Sequence, residues 1–428
     1  MQILKSGTHR LFEHDADTAA AVSRILIEIE KSGMDAVRRY SRMFDDWEPA
    51  SFRMTESEIS DAINRLPEQA IRDTDVCQSN VRAFARAQFE TLRDLEIETQ
   101  PGVTLGHKHI PVNSIGCYVP GGRYPMFGSA QMSMIPARVA GVRHIVASTP
   151  PVKGKGYYPA TINAMKTAGA DVIYILGGVP ALAVMAFGLE GGEPVDVLCG
   201  AGNRFVAEAK RQLFGRCGID LLAGPTEILI IADDHADPAL VACDILGQAE
   251  HDPNSGSCLI CFSQGFGRLV LEEVARQLEV LPTREIASVS WRDGGTVYVA
   301  ADREEAVRLS DDYAPEHLEL QVEDPDYFFR HLTNYGSLFI GEEATVAYGD
   351  KTIGTNHILP TSRSARYTGG LWVGKFLKTC TYQKMTPDAS VRTAEITERQ
   401  CLLEGMQAHA ITARARIQRY AHLIPVEG

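Results

Sequence analysis

The chain has 428 residues, of which 45% are hydrophobic and 23% charged, the composition of a globular protein large enough for two or more domains. Its formal net charge of −13 argues against nucleic acid or an anionic membrane surface as a partner. Nine dispersed cysteines without disulfide-like spacing, the lack of a secretory leader and the lack of a membrane-length apolar run together predict a cytoplasmic protein.

The order of the predicted elements indicates an α/β protein. Apolar residues at helical spacing predict helices from about Asp17 to Leu95, and nothing in that stretch suggests chemistry. After Pro101-Gly102 the pattern changes to short apolar strands broken by glycine, the first of them at Ile115–Val119. From about Arg143 to Ala223, apolar strands alternate with helices, which is typical of a parallel βαβ sheet.

One turn in this first α/β block has a composition suited to phosphate binding. Gly200-Ala201-Gly202-Asn203 follows a predicted strand and precedes a predicted helix at Arg204–Leu213. Backbone N–H groups at such a turn can meet a phosphate. The turn lacks the third glycine of a dinucleotide fingerprint, so a tight turn without a ligand is the alternative, and both interpretations remain open.

A second α/β block begins with the apolar strand Glu227–Ala232. It leads into a helix that Asp237 caps and Pro238 opens. Gln248 and His251 share one face of this helix, and an imidazole beside an amide oxygen predicts half of a metal site. The alternative is a polar helix end whose histidine forms an ordinary hydrogen bond.

The rest of the second block contains two further polar clusters and one cysteine pair. Glu316 and His317 stand side by side before a predicted strand; they suit general acid–base catalysis, with an ordinary surface pair as the alternative. Asp350 lies in a glycine-punctuated loop, a kind of segment that often holds functional side chains. The Cys258-x-x-Cys261 pair lies in an apolar run and is interpreted as part of a buried strand, with zinc or redox chemistry as the alternative.

The last predicted helix, about Val391–Tyr420, carries Glu404 and His409 near Gly405. Residues five apart do not share one helix face, so a solvated surface is the default interpretation.

Five motifs then combine into a specific pattern. They are Ala223-Gly224-Pro225-Thr226-Glu227, Gln248-Ala249-Glu250-His251, Tyr313-Ala314-Pro315-Glu316-His317-Leu318, Gly354-Thr355-Asn356-His357-Ile358-Leu359-Pro360-Thr361 and Glu404-Gly405-x-x-Ala408-His409. In order and approximate spacing the chain resembles the histidinol dehydrogenase family over nearly its whole length. The resemblance implies two incomplete, doubly wound Rossmann-like α/β domains with N- and C-terminal helical segments, in an intertwined homodimer.

The resemblance also implies domain boundaries. These are an N-terminal segment at 1–20, a first α/β domain at 21–118 and 226–370 with the zinc and acid–base residues, a second α/β domain at 119–225 on the NAD side, and a C-terminal helical segment at 371–428 that reaches the partner subunit.

Carried over residue by residue, the family pattern implies one Zn²⁺ per subunit, NAD⁺ as cofactor and a small alcohol as substrate. The zinc ligands are then Gln248, His251, Asp350 and His409, the acid–base pair is Glu316 and His317, and the cofactor contacts are Tyr118 and Asn203. The substrate pocket would be lined by Thr226, Gln248, His251, His317, Asp350, His357, Glu404 and His409. Since the family's C-terminal segment enters the neighbouring subunit, Glu404 and His409 would complete the partner's site.

The family mechanism that this implies is a four-electron oxidation. His317 takes the hydroxyl proton while hydride passes to NAD⁺, Glu316 then activates water to hydrate the aldehyde, and a second NAD⁺ accepts hydride to leave a carboxylate.

Departures from the histidinol pattern bear on the substrate. Thr226 stands where biosynthetic members usually have serine, and Pro180 replaces a glutamine that contacts the cofactor, which leaves NAD⁺ against NADP⁺ open. Segments 116–124 and 367–375 look more similar to a catabolic branch that includes sulfopropanediol 3-dehydrogenase, which oxidises 2,3-dihydroxypropane-1-sulfonate to sulfolactate. A small polar, anionic primary alcohol is therefore predicted, and the candidate anion-binding side chains, with solvated surface arginines as the alternative, are Arg123, Arg363 and Arg366.

Two other functions stay open at this point. L-Histidinol dehydrogenase of histidine biosynthesis is permitted by the intact zinc and acid–base set. A non-catalytic, metal-stabilised dimeric binding protein is the remote alternative.

Overall fold

The structure is a computed structural model that describes residues 2–7, 15–121, 124–152 and 156–423. Within these ranges, no helix has both the length and the apolarity needed to cross a membrane. The chain divides into two compact units: unit 1 is Met1–Phe89 with Val112–Phe376, and unit 2 is Glu90–Pro111 with Leu377–Gly428. The finer domain boundaries implied by the family resemblance stay a prediction.

Unit 1 contains two largely parallel sheets in its described residues. One is six-stranded, with the order β1-β11-β10-β9-β12-β13 and only β1 antiparallel to its neighbour. Its strands are β1 (Gln2–Lys5), β9 (Glu227–Ala232), β10 (Gly256–Cys261), β11 (Gly295–Val299), β12 (His317–Gln321) and β13 (Ser337–Ile340). The other is five-stranded and parallel, with the order β6-β5-β4-β7-β8. Its strands are β4 (Ser114–Tyr118), β5 (His144–Thr149), β6 (Val172–Ile175), β7 (Val197–Cys199) and β8 (Gly218–Ile219).

Helices cover both sheets and enclose separate apolar cores. The helices of unit 1 are α1 (Ala16–Ser32), α2 (Met34–Asp45), α3 (Glu56–Ile63), α4 (Glu68–Glu90), α5 (Gly128–Ala140), α6 (Pro159–Ala168), α7 (Gly178–Phe187), α8 (Arg204–Leu213), α9 (Pro238–Ala249), α10 (Gln264–Val280), α11 (Arg284–Gly294), α12 (Arg303–Tyr313), α13 (Pro325–His331) and α14 (Val346–Lys351). This architecture confirms the predicted α/β class. The capped helix is also confirmed, since the Asp237 side chain accepts a hydrogen bond from the Ala239 backbone N–H of α9.

The five-stranded sheet contains a topological switch point. The chain runs from β4 outward to β5 and β6, then returns to place β7 on the other side of β4. In open α/β sheets, ligands bind in the crevice at the carboxyl ends of the two strands where the order reverses. Tyr118 ends β4 and the Gly200–Asn203 turn follows β7, so both predicted cofactor contacts lie at this crevice.

A buried ion pair fixes the turn after β7. The Lys210 ammonium donates to the Gly200 carbonyl oxygen at 3.0 Å and pairs with Asp220, whose carboxylate accepts the Gly200 N–H at 2.8 Å. Only glycine fits here, because φ is +111° and a Cβ would lie 2.1 Å from the Tyr118 carbonyl oxygen. One ion pair therefore holds both the N–H and the carbonyl oxygen of Gly200.

Unit 2 combines a small sheet with a helical hairpin. Its antiparallel strands are β2 (Leu95–Gln100), β3 (Val103–Pro111) and β14 (Leu377–Met385), and its helices are α15 (Pro387–Leu403) and α16 (Gln407–Tyr420). The prediction of one continuous helix over 391–420 was wrong. Gly405 adopts φ of +75° and ends α15, and the chain turns before α16 begins.

The ion pair under the Gly200 turn yields a stability prediction. Lys210→Met leaves the Asp220 carboxylate buried without its cation, and we expect the free energy of unfolding to fall by about 3–5 kcal/mol in urea titrations followed by circular dichroism. The matched control is Arg276→Met, which removes an exposed pair with Glu273 and should cost less than about 1 kcal/mol. Equal losses in the two variants would contradict the assignment.

Candidate active site

Two neighbouring strands of the six-stranded sheet begin with polar residues at the same edge. β9 begins at Glu227 directly after Thr226, and the adjacent parallel strand β12 begins at His317 directly after Glu316. The helix α9 ends at this edge too, with Gln248 in its last turn. Side chains from three segments of sequence therefore meet at the amino ends of β9 and β12.

The Thr226 hydroxyl joins the helix to the strand. It donates to Glu316 Oε2 at 2.5 Å and accepts a hydrogen bond from Gln248 Nε2. The Glu227 backbone N–H donates to the same Glu316 oxygen at 3.0 Å. Because Thr226 engages the amide nitrogen of Gln248, the amide oxygen is the atom that remains for a metal ion.

The ring of His317 has a defined tautomer. Its Nδ1 lies 2.9 Å from the Glu227 carbonyl oxygen, and a carbonyl only accepts, so Nδ1 carries the proton. The other nitrogen, Nε2, is buried and has no hydrogen-bond partner within the described ranges. Burial also lowers the pKa of His317, although the charge of Asp350 opposes this effect. The imidazole is therefore neutral near pH 7, with a lone pair able to accept a proton.

Two carboxyl groups lie at the same edge of the sheet as this imidazole. Burial raises the pKa of Glu316 well above its usual range, while the hydrogen bonds from Thr226 and Glu227 oppose the shift. Burial also raises the pKa of Glu227 to about 7, and its carboxylate accepts the Ser362 backbone N–H at 3.1 Å. A carboxyl group whose pKa is moved toward neutrality can both give and take a proton. Glu227 had not been singled out as a site residue from the sequence, where it was the last residue of a family motif and the first residue of an apolar strand.

Asp350 and His357 form the second part of the cluster. His357 Nδ1 donates to the Asp350 carbonyl oxygen at 2.9 Å, and its Nε2 lies 3.0 Å from the Ser129 hydroxyl. Burial acts to raise the pKa of the Asp350 carboxyl, but the nearby His357, His317, Lys351 and His251 outweigh it and the pKa is lowered. Asp350 is thus ionised near pH 7, and its carboxylate lies 3.9 Å from His357 Nδ1 and 3.7 Å from Lys351 Nζ.

The candidate ligand atoms are of the chemical types that bind a zinc ion. His251 lies just beyond the end of α9; burial lowers its pKa, which keeps the imidazole neutral as a ligand must be, and the charge of Asp350 opposes the shift. Gln248, His251 and Asp350 provide nitrogen and oxygen ligands with no thiolate. In the part of a single chain that the structure describes, no group of three His, Cys, Asp or Glu side chains could hold a metal. The predicted set depends on the amide of Gln248 and on a fourth residue, His409.

Unit 2 carries the two remaining predicted site residues. Glu404 caps the C-terminal end of α15 and His409 lies in the first turn of α16, and both side chains are exposed on that unit. Their contribution to a site stays a prediction.

At the cofactor crevice, the Tyr118 hydroxyl is buried and accepts the Gly178 N–H at 3.2 Å. The Asn203 side-chain oxygen caps α8 by accepting the N–H groups of Phe205 and Val206. Its amide nitrogen is left for a ligand. Pro180 sits in the first turn of α7, where the lack of an N–H costs no helix hydrogen bond.

The three candidate arginines differ in their placement. Arg123 lies outside the described residues. Arg366 is exposed at the end of the short helical turn Ser364–Arg366. Arg363 is half-buried, with a left-handed backbone and a buried Nε that has no hydrogen-bond partner in the ranges that the structure describes.

Comparisons with known proteins place this arrangement in context. The model of the histidinol dehydrogenase family matches residues 9–417. The chain is 53% identical to a histidinol dehydrogenase homolog of Shouchella clausii (strain KSM-K16), over 98% of this chain and 99% of that protein. It is 46% identical to the sulfopropanediol 3-dehydrogenase of Ruegeria pomeroyi, over 98% and 97%. The crystal structure of histidinol dehydrogenase from Elizabethkingia anophelis matches with a TM-score of 0.90 at 32% identity, over 97% and 94%.

Doubly wound parallel sheets with a buried carboxyl–imidazole pair define an α/β enzyme. The family match and the coverage of the relatives make the assignment specific: the chain belongs to the histidinol dehydrogenase family and is an oxidoreductase. The predicted family resemblance is thereby confirmed.

The hydroxyl bridge yields a prediction for activity. Thr226→Val keeps the side-chain shape but removes a partner from both Gln248 and Glu316, and an unsatisfied buried polar group costs about 1–3 kcal/mol. We expect kcat/KM for alcohol-dependent reduction of NAD⁺ to fall roughly 10- to 100-fold. Thr226→Ser retains the hydroxyl and should stay within about threefold of the parent. If valine and serine behaved alike, the bridge would have no part in the reaction.

Proposed function

We propose that the protein is a zinc-dependent, NAD-linked dehydrogenase that oxidises a small polar primary alcohol through an aldehyde to a carboxylate. The observation that carries the proposal is the unpartnered, buried Nε2 of a neutral His317, beside a carboxyl group and the predicted metal ligands. This is the arrangement that removal of a hydroxyl proton requires.

Gln248, His251 and Asp350, with His409, would hold the zinc. When bound, the metal supplies Lewis-acid polarisation and orientation of the substrate oxygen.

His317 is the base in this proposal. Its protonated Nδ1 is anchored on the Glu227 carbonyl, so the ring cannot turn without losing that hydrogen bond, and Nε2 stays the accepting atom. The hydroxyl proton of the alcohol would pass to Nε2 of His317, the carbon that bears the hydroxyl would lose a hydride to NAD⁺, and the product of this half-reaction would be an aldehyde.

Glu316 serves the second half-reaction. Thr226 and the Glu227 N–H hold one of its oxygens, which fixes the carboxyl group at the sheet edge. The carboxyl group removes a proton from water that adds to the aldehyde, and the hydrate gives up a second hydride to leave a carboxylate. NAD⁺ would be held at the crevice beside Tyr118 and Asn203 and would supply the hydride acceptor, one molecule for each of the two oxidations.

The substrate proposal is 2,3-dihydroxypropane-1-sulfonate or a similar small anionic alcohol. It is supported by the 46% identity to a sulfopropanediol 3-dehydrogenase, compared with 40% to a histidinol dehydrogenase of Methanosarcina mazei. L-Histidinol is the alternative substrate, and the same residues would process it. The remote alternative, a binding protein without catalysis, predicts no NADH from any alcohol.

Arg363 is the strongest candidate for binding the anionic end. Ser362 and Arg363 both adopt left-handed backbones, with φ of +54° and +65°, which cost about 1–3 kcal/mol each for residues other than glycine. The loop is tied to the site, because the Ser362 N–H donates to the Glu227 carboxylate. A guanidinium with an unpartnered, buried Nε suits a sulfonate, whose oxygens can each accept a hydrogen bond.

The direct test counts NADH formed by zinc-loaded protein with L-histidinol and, in parallel, with racemic 2,3-dihydroxypropane-1-sulfonate. Preference for the sulfonate, with about two NADH per molecule of the reactive enantiomer, is expected for a four-electron oxidation. Preference for histidinol would overturn the substrate proposal, and no NADH from either alcohol, nor from a panel of other primary alcohols, would overturn the reaction.

Arg363→Ala should weaken binding of the anionic substrate without affecting a neutral alcohol. Loss of a charge-assisted hydrogen bond costs about 1.5–3 kcal/mol, so KM for the sulfonate should rise roughly 10- to 100-fold. The control substrate is neutral propane-1,2-diol, which lacks the anion and whose turnover, however slow, should be unaffected. A similar change with both substrates would show that the loop had been damaged instead.

Homodimerisation with exchange of the C-terminal segment is part of the proposal and predicts subunit complementation. His409→Asn and Glu316→Gln should each inactivate the enzyme. Unfolding and refolding the two together should restore about a quarter of the parent activity, because half of the dimers are mixed and each has one intact site of two. If His409 served its own subunit, every site would carry a substitution and no activity would return.

A further inference from the structure

A row of buried polar groups lies between α9 and β12, beyond the residues that the proposed chemistry uses. The Gln321 side-chain amide donates to Asp244 Oδ2 at 3.0 Å and lies 3.4 Å from Glu319 Oε2. The Gln321 amide therefore links the carboxyl groups of Asp244 and Glu319. Glu319 is completely buried, which is unusual for a carboxyl group without a cation.

The same two carboxyl groups hold the start of α14. The Thr345 hydroxyl donates to Asp244 Oδ1 at 2.9 Å, and the Val346 N–H donates to Glu319 Oε1 at 3.1 Å. Val346 is the first residue of α14, and Asp350 lies one turn further along this short helix. The acid pair therefore contacts the helix that carries one predicted zinc ligand.

The register connects the pair to the other site residues. Glu319 is two residues after His317 on β12, so both side chains lie on the same face of the sheet. Asp244 is four residues before Gln248, so both lie on the same face of α9. Glu319 is therefore the next residue after His317 on that face of β12, and Asp244 lies about one helical turn before Gln248.

The charge state of the pair follows from its surroundings. Burial raises the pKa of both carboxyl groups, and that of Glu319 lies well above its usual range. Within the described ranges, no Lys or Arg is among the groups that shift either pKa. The two carboxyl groups therefore depend on the hydrogen bonds that Gln321, Thr345 and Val346 donate to them.

We propose that Asp244 and Glu319 form a hydrogen-bonded brace that sets the position of α14 against α9 and β12. The brace holds Asp350 opposite Gln248 and His251, so both members are positioning residues for metal binding. This inference rests on the proposed function and assigns roles to two residues outside the predicted ligand set.

The test is the zinc affinity of the full-length protein, measured by competition with a chromophoric chelator. Glu319→Leu removes the acceptor for the Val346 N–H and should weaken zinc binding about 10- to 100-fold, as loss of outer-shell support does elsewhere. Glu319→Gln can still accept from the Val346 N–H through its amide oxygen, so its affinity should stay within about threefold. The matched control is Val274→Ala, a buried cavity variant of α10 that should lower the melting temperature without changing zinc affinity.

Each result has a defined meaning. Weakened zinc binding in Glu319→Leu alone, rescued in Glu319→Gln, supports the brace. The brace would be overturned if Glu319→Leu bound zinc as tightly as the parent. It would also be overturned if Glu319→Gln or Val274→Ala lost as much zinc affinity as Glu319→Leu. His251→Asn distinguishes failure of the zinc site from failure of the brace. If this variant binds zinc as tightly as the parent, the proposed zinc site is wrong. If it loses zinc affinity while Glu319→Leu keeps it, only the brace is rejected.

Discussion

The candidate site depends on one hydroxyl group. Thr226 stands at the amino end of β9, where it accepts from the amide of Gln248 and donates to the carboxyl group of Glu316. This bridge ties the end of α9 to the start of β12 and sets which amide atom of Gln248 is left to face a ligand. A hydroxyl is the one side-chain group that can accept and donate at once in so small a space, so the geometry requires serine or threonine here.

The predicted cofactor contacts and the acid–base cluster lie at opposite ends of the strands in their respective sheets. The predicted cofactor contacts lie at the carboxyl ends of β4 and β7, where doubly wound sheets usually bind ligands. The acid–base cluster lies instead at the amino ends of β9 and β12, an edge that the general rule does not indicate. Most buried polar groups there have a hydrogen-bond partner, whereas His317 Nε2 and Arg363 Nε have none in the described ranges, which suggests that they face a ligand.

The sequence predicted the α/β elements well, because short apolar strands and capped helices have strong local signals, as at Glu227–Ala232 and Asp237. It also singled out Glu316, His317, Gln248 and Asp350, though their roles came from the family resemblance. It missed Glu227 and Glu319, since the burial and partners of a carboxyl group depend on the tertiary fold, and a glutamate within a strand has no distinctive local pattern. The break at Gly405 was missed for a different reason, because a single glycine inside a helical pattern is often tolerated.

The central claim is that the amino edge of β9 and β12 is a metal-assisted catalytic centre. The most direct measurement is anomalous diffraction at the zinc edge from crystals of the zinc-loaded protein. We expect one strong peak per subunit, within about 2.0–2.2 Å of atoms of Gln248, His251 and Asp350, with a histidine as the fourth protein ligand. A peak elsewhere, or none at this edge under conditions where the enzyme is active, would contradict it.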